Sequence, residues 1–187
     1  LKYRLHSCQN RHRHASHLLG LYPGNAITDK TPELIEACKV SLLDRGFGQK
    51  SGANGSGWGK ANKVNLWARA KDGNRAYSML RELINKNIAP NLWDFHPPYQ
   101  MDGNCGYTSG VCEMLCYSSD DIIELLPALP EEWKNGSVKG LCARGGYSLD
   151  FTWENGEIKS LSVYSSCDKK TARIKTGDEI KTVKTVG

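Results

Sequence analysis

The sequence predicts an α+β chain, with a helical region over residues 1–120 followed by a small antiparallel β-domain over residues 121–187. Two observations carry this. Before about residue 120 the apolar residues recur at spacings of three and four, the period of a helix with one buried face. After residue 136 they alternate, with Tyr147, Leu149, Phe151 and Trp153 separated by Ser148, Asp150 and Thr152, the period of a half-buried strand. At 187 residues the chain is long enough for one or two domains and too short for a third.

The helices are read in order. Thr31, Pro32 and Glu33 supply an N-cap, a first-turn proline and a dipole-favoured acid, Leu34, Cys38 and Leu42 form one face, and Gly46 terminates the helix. A second helix spans residues 57–71, with Ala61, Val64, Trp67 and Ala68 on the apolar side and Asn62, Asn65 and Arg69 on the polar one. Asp72, Gly73 and Asn74 cap a third, whose buried stripe is Ala76, Tyr77, Leu80, Leu83 and Ile84. A short fourth helix is expected over 108–117. The intervening 89–107 stretch, dense in Pro, Asn, Gly and aromatics, is too long for a plain connection in a compact domain, which marks it as functional.

The strands follow. Asn155-Gly156 is a two-residue hairpin turn, and Ile158, Leu161 and Val163 return from it. A second hairpin turns at Gly177-Asp178, between strands 172–175 and 179–186. About five strands would make one small antiparallel sheet, whose aromatic face requires a covering layer.

Composition excludes several classes. The chain is 39% hydrophobic and 24% charged, without an apolar run of the roughly 20 residues a membrane helix requires, so neither disorder nor membrane insertion is expected. Leu1 to Asn10 lacks the apolar core and small-residue cleavage site of a signal peptide, and a chain opening on Leu1 reads as cut from something longer. Of the net charge of +5, +3 lies in residues 168–187, where lysines alternate with Thr, Ile and Val as on a guarded edge strand. No basic stripe interleaved with stacking aromatics suggests nucleic acid.

Seven cysteines, at 8, 38, 105, 112, 116, 142 and 167, match no disulfide framework or metal pattern, so reduced, mostly buried thiols are expected, as in a reducing environment. A continuous helix would align Cys105, Cys112 and Cys116, but Gly103 and Gly106 argue against helix there, and no metal or cofactor is expected.

Two segments concentrate site chemistry. Residues 11–17 read RHRHASH, and residues 94–104 read DFHPPYQMDGN. His12, His14 and His17 lack the spacing and the neighbouring carboxylate of a zinc site. In the second segment, prolines and glycines would fix an irregular loop presenting His96 and Asp102, although an Asp before Gly also serves as a turn acceptor.

The strings RHRHASHLLGLYPGNAIT, GWGKANKVNLWARAKDGNRAY, NLWDFHPPYQMDGNCGYTSGVCEML and LLPALPEEWKNGSVKGLCARGGYSLDFTWENG resemble, in that order, the C-terminal part of glycoside hydrolase family 95, the inverting α-L-fucosidases. The resemblance runs from about Arg11 to Tyr164. It implies that the chain holds the last helices of an (α/α)6 toroid followed by the family's C-terminal β-domain. It further implies that Asp102 is the catalytic aspartate that polarises a water-activating asparagine, and that Arg13, His14 and His96 contact the sugar. The implied partner is a fucosylated oligosaccharide or related α-L-glycoside, together with the missing upstream segment of the enzyme.

Trp58 and Trp93 are read as core residues, with stacking on a sugar as the alternative. The family's general-acid glutamate and its pair of water-positioning asparagines resemble nothing in this chain, and Gly59-Lys60-Ala61-Asn62 stands where the family tends to be aromatic and apolar. The chain is therefore expected to be inactive alone and, as an open toroid, to expose apolar helix faces that aggregate or take a partner. The reading from another class is a non-catalytic carbohydrate-binding or scaffold domain.

Overall fold

The computed structural model describes residues 14–46, 56–95, 98–119, 121–167 and 170–186. Four helices, α1 (Pro32–Asp44), α2 (Gly57–Arg69), α3 (Gly73–Asn87) and α4 (Met101–Leu115), precede seven strands: β1 (Cys116–Ser118), β2 (Ile123–Leu125), β3 (Gly136–Ala143), β4 (Tyr147–Glu154), β5 (Glu157–Ser165), β6 (Thr171–Thr176) and β7 (Glu179–Lys184). This is the expected order of packed helices and then a β-domain.

The helix α2 is the centre of the helical layer and packs on both α3 and α4. It carries Val64, Leu66, Trp67 and Ala68 into a core shared with Ile35, Cys38 and Leu42 of α1 and Ala76, Met79 and Leu80 of α3. The caps are local: the Ser56 side chain accepts from the Gly59 amide, and Asp72 accepts from that of Arg75. Thr31 does not cap α1; its hydroxyl donates to the Thr28 carbonyl at 3.1 Å. The α1 stripe is Ile35, Cys38 and Leu42, with Leu34 turned outward by one residue's rotation, and on α3 Met79 takes the buried place expected for Ile84.

The start of α4 differs most from expectation. It begins at Met101, seven residues before Thr108, because its glycines serve packing. A methyl group at Gly106 would come within 2.8 Å of the Ala61 Cβ, and one at Gly110 within 2.6 Å of Val64 Cγ1. Glycine's propensity cost of about 1 kcal/mol in a helix is offset by this close approach to α2. Asn65 of α2 locks the pair, donating to the Ala61 and Gly106 carbonyls at 2.9 and 2.8 Å and accepting from Ser109 Oγ at 2.9 Å. Asn65 is thus buried, not on a polar outer face. Since residue 61 meets 106 and residue 69 meets 113, the two helices run parallel, with α3 as the return between them.

The strands form two sheets instead of one. The order β3-β4-β5 is wholly antiparallel, whereas β1-β2-β6-β7 contains a parallel pair, Ile123 opposite Ile174 and Leu125 opposite Thr176. The sheets cover each other: Leu149, Phe151, Trp153 and Val163 pack with Ile123, Leu125, Ala172 and Ile174. That supplies the layer the aromatic face requires. The β4–β5 turn places Asn155 and Gly156 at φ of 51° and 78°, the left-handed pair of a type I′ hairpin. The lysine-rich β7 is an edge strand, as expected.

Candidate functional site

The N-terminal turns of α2 and α4 meet around one side chain, Asp94. It is fully buried, and its carboxylate fills the space where side chains at Gly57 and Gly103 would begin, so that a methyl group on either would overlap it. The loop that delivers Asp94 is tied to α4. The Asp94 amide donates to Asn104 Oδ1 at 2.8 Å, Asn104 Nδ2 donates to the Leu92 carbonyl at 2.8 Å, and the Gln100 amide donates to the Asp94 carbonyl at 3.2 Å.

Beside this centre, the His14 ring lies 4.6 Å from that of Trp58, tilted by 40°, and its carbonyl accepts from Arg45 Nη1 at 3.2 Å, beyond the end of α1. Asp102 is exposed in the first turn of α4, one residue before Gly103, where the helix dipole favours its negative charge. The geometry therefore brings His14 and Asp102 to two helix ends that share Asp94. Arg13 and His96 lie outside the described residues, as does His12. His17 is used structurally: its Nε2 is 2.6 Å from Ser41 Oγ, and burial followed by the Arg45 charge pushes its pKa down.

Neither tryptophan is a core residue. Trp58 is half-buried, and Trp93 is 52% exposed and paired with the exposed Tyr99 at 4.7 Å between ring centroids. The 94–100 segment is short because α4 begins at Met101, so Asp102 is presented by a helix and not by the loop expected to hold it.

Lys60 and Asp94 escaped the sequence reading. Lys60 is 4% exposed at the position where an aromatic or apolar residue was expected, and it finds α3 instead: Nζ donates to Asn87 Oδ1 at 2.8 Å and lies 3.6 Å from Glu82 Oε1. Burial pushes its pKa down, and Glu82 opposes that. The available signal was a charged residue one turn after a glycine-bounded helix start, with a second lysine, Lys63, three residues on. Lys63 donates to the Arg45 and Gly46 carbonyls at 3.4 and 3.2 Å, beyond the end of α1.

Among the described carboxyls with a resolved shift, Glu113 is the one pushed up, by burial, with Arg69 at 2.7 Å opposing. It stands eleven residues along α4 from Asp102, about 16 Å at helical rise.

The six described cysteines are free thiols; Cys38 and Cys116 are buried, and Cys105, Cys112, Cys142 and Cys167 are exposed, which corrects the expectation that most are buried. Among the described residues no group of His, Cys, Asp or Glu has metal-site geometry, and no helix is long and apolar enough to cross a membrane. A cavity of about 420 Å³ lies away from Asp94, at the junction with the β-domain; of its charged lining residues Asp29, Lys30, Asp121, Glu124 and Lys175, Lys175 is paired with both Asp29 and Glu124.

Comparison with known proteins gives the family of the chain. The chain is 38% identical over 167 residues to Alpha-L-fucosidase 2 of Arabidopsis thaliana, covering 82% of this chain and 19% of that protein. It is 35% identical to the Probable alpha-fucosidase A of Aspergillus oryzae, covering 78% of this chain and 23% of the relative, and 33% identical to that of Aspergillus niger, covering 79% and 20%. It thus spans about a fifth of the length of these relatives. Residues 2–115 match the glycosyl hydrolase family 95 catalytic domain and residues 117–186 the family's C-terminal domain, and the chain belongs to glycoside hydrolase family 95.

Proposed function

We propose that this chain supplies part of an inverting active site for hydrolysis of terminal α-L-fucosyl linkages, and that it is inactive alone. In this reading Asp102 accepts a hydrogen bond from an asparagine amide outside the chain. The amide carbonyl thereby becomes a better acceptor for the proton of the attacking water; an amide is by itself a very weak base. Arg13, His14 and His96 donate to the hydroxyls of a sugar that offers no charge to grip. The upstream segment brings the general acid, and the two domains are residues 1–120 and 121–187. What supports the reading is the meeting of the α2 and α4 first turns around Asp94, with His14 beside one and Asp102 on the other.

The test is release of L-fucose from an α-1,2-fucosylated trisaccharide. The purified chain is expected to release none, and a complex reconstituted with the upstream segment is expected to release it, with activity abolished by Asp102→Asn. Release by the chain alone that depends on Asp102 would overturn the account of the missing acid. The exposed Trp93–Tyr99 pair favours a second reading, a non-catalytic carbohydrate-binding domain. Binding without turnover, indifferent to Asp102→Asn and lost on Trp93→Ala, would select it.

A further inference from the structure

We propose that Asp94 is the positioning residue of this site, its buried carboxylate setting the separation of the α2 and α4 first turns and hence of Trp58 and Asp102. The inference rests on the reading of this face as the sugar site and adds to it a residue that touches no substrate.

Three observations converge. The carboxylate lies simultaneously against Gly57 and Gly103, so both helix starts are built to its dimensions. The main chain on either side of it is fastened to α4 through Asn104 and Gln100, which fixes where the carboxylate enters. The chain that follows it is held from α2 as well: Lys60, within one turn of Gly57 and nearly inaccessible, donates from Nζ to Asn87 Oδ1 at 2.8 Å, and Asn87 Nδ2 donates to the Phe95 carbonyl at 3.4 Å. An anion between two parallel helix N-termini is also favoured by both macrodipoles. A carboxylate serving overall stability alone would not require two glycines on separate helices to admit it.

The experiment uses the 187-residue chain as wild type, Asp94→Asn and Gly103→Ala, and measures amide hydrogen exchange, thermal unfolding and L-fucose affinity. Asp94→Asn retains the shape and removes the charge. It is expected to unfold cooperatively with exchange in β4 and β5 unchanged, while exchange in the first turns of α2 and α4 rises together and L-fucose affinity falls by about tenfold, or 1.4 kcal/mol. Exchange that rises evenly over the chain, or at only one of the two helix starts, overturns the proposal. Should Asp94→Asn fail to fold, Gly103→Ala, whose methyl displaces the carboxylate while leaving it present, must loosen the first turn of α2, a helix it does not belong to; unchanged exchange there overturns the proposal equally. If the wild type takes up no L-fucose, the sugar reading fails, and the exchange result alone still decides the role of Asp94.

Discussion

Cys116 stands where α4 runs directly into β1, and burial, with the nearby Glu113 charge adding to it, pushes its thiol up to about 12 from 9.0. Above pH 9 the unfolded chain sheds a proton that the folded chain keeps, so this residue's contribution to stability falls as pH rises, by about 1.4 kcal/mol per unit until the folded value is reached. Cys116→Ala removes that dependence. The stability gap between wild type and variant, measured by urea unfolding at pH 8 and 10.5, is expected to narrow by about 2 kcal/mol, and an unchanged gap would mean the thiol ionises freely in the fold. The same burial makes Cys38 and Cys116 inert to thiol reagents in the native protein. Exposed Cys105, Cys142 and Cys167 are expected to label first, which peptide mapping after a short alkylation would read directly.

The α2–α4 pair shows how far an element is legible from its residues. The α3 stripe and the Asn155-Gly156 hairpin were readable because burial on α3 follows one face and turn chemistry is local, whereas α2 is buried nearly all round, Lys60, Lys63 and Asn65 included, which its apolar period did not show. The first two turns of α4 were not readable, since Gly103 and Gly106 read as breakers until α2 and Asp94 are seen against them. The β2–β6 pairing was equally hidden, a parallel contact made by a three-residue strand too short for alternation to register. At the candidate site, Asp102 and His14 are proposed on the strength of family motifs, whereas Asp94 looked like one more polar loop residue because its place is set by two distant glycines. The glycine argument gives a signed prediction. Gly110→Ala gains about 1 kcal/mol of helix propensity but forces a methyl within 2.6 Å of Val64 Cγ1, and overpacking costs about 1–3 kcal/mol, so the net effect is destabilising. Adding Val64→Ala opens the space. In a double-mutant cycle the pair is expected to be more stable than the sum of the single effects, and simple additivity would show that the helices part without strain.

At the scale of the whole molecule, two cores meet along a narrow joint. Val111 and Trp133 belong to the margin of both; the Trp133 ring packs edge-on to Tyr77 of α3 at 5.7 Å while its carbonyl accepts from Trp153 Nε1 at 2.7 Å. On the flank, Asp29, Lys71, Glu124 and Lys175 close a ring of alternating charges, with Lys71 and Lys175 each reaching both carboxylates at 2.6–3.2 Å. Asp29 and Lys71 belong to the helical region and Glu124 and Lys175 to the β-domain, so the ring ties the two together. Glu124 is 5% exposed, and the two carboxylates hold Lys175 well above the usual lysine range against its burial. Raised in the fold, Lys175 contributes its stabilisation fully below the ordinary lysine range and loses it as pH climbs through the higher folded value, so the ring is intact at neutral pH. Glu124→Gln keeps the shape but leaves two lysines sharing the half-exposed Asp29. Breaking a fully buried pair costs about 3–5 kcal/mol, and the open side of the ring reduces that to about 2–3 kcal/mol. Because the Lys71–Glu124 pair crosses the joint, and the Glu124–Lys175 pair holds in place the lysine that reaches across to Asp29, calorimetry is expected to show one transition for the wild type and two for the variant, with the β-domain melting apart from the helices. A lower but still unitary transition would show instead that Trp133 and Val111 suffice to couple the cores.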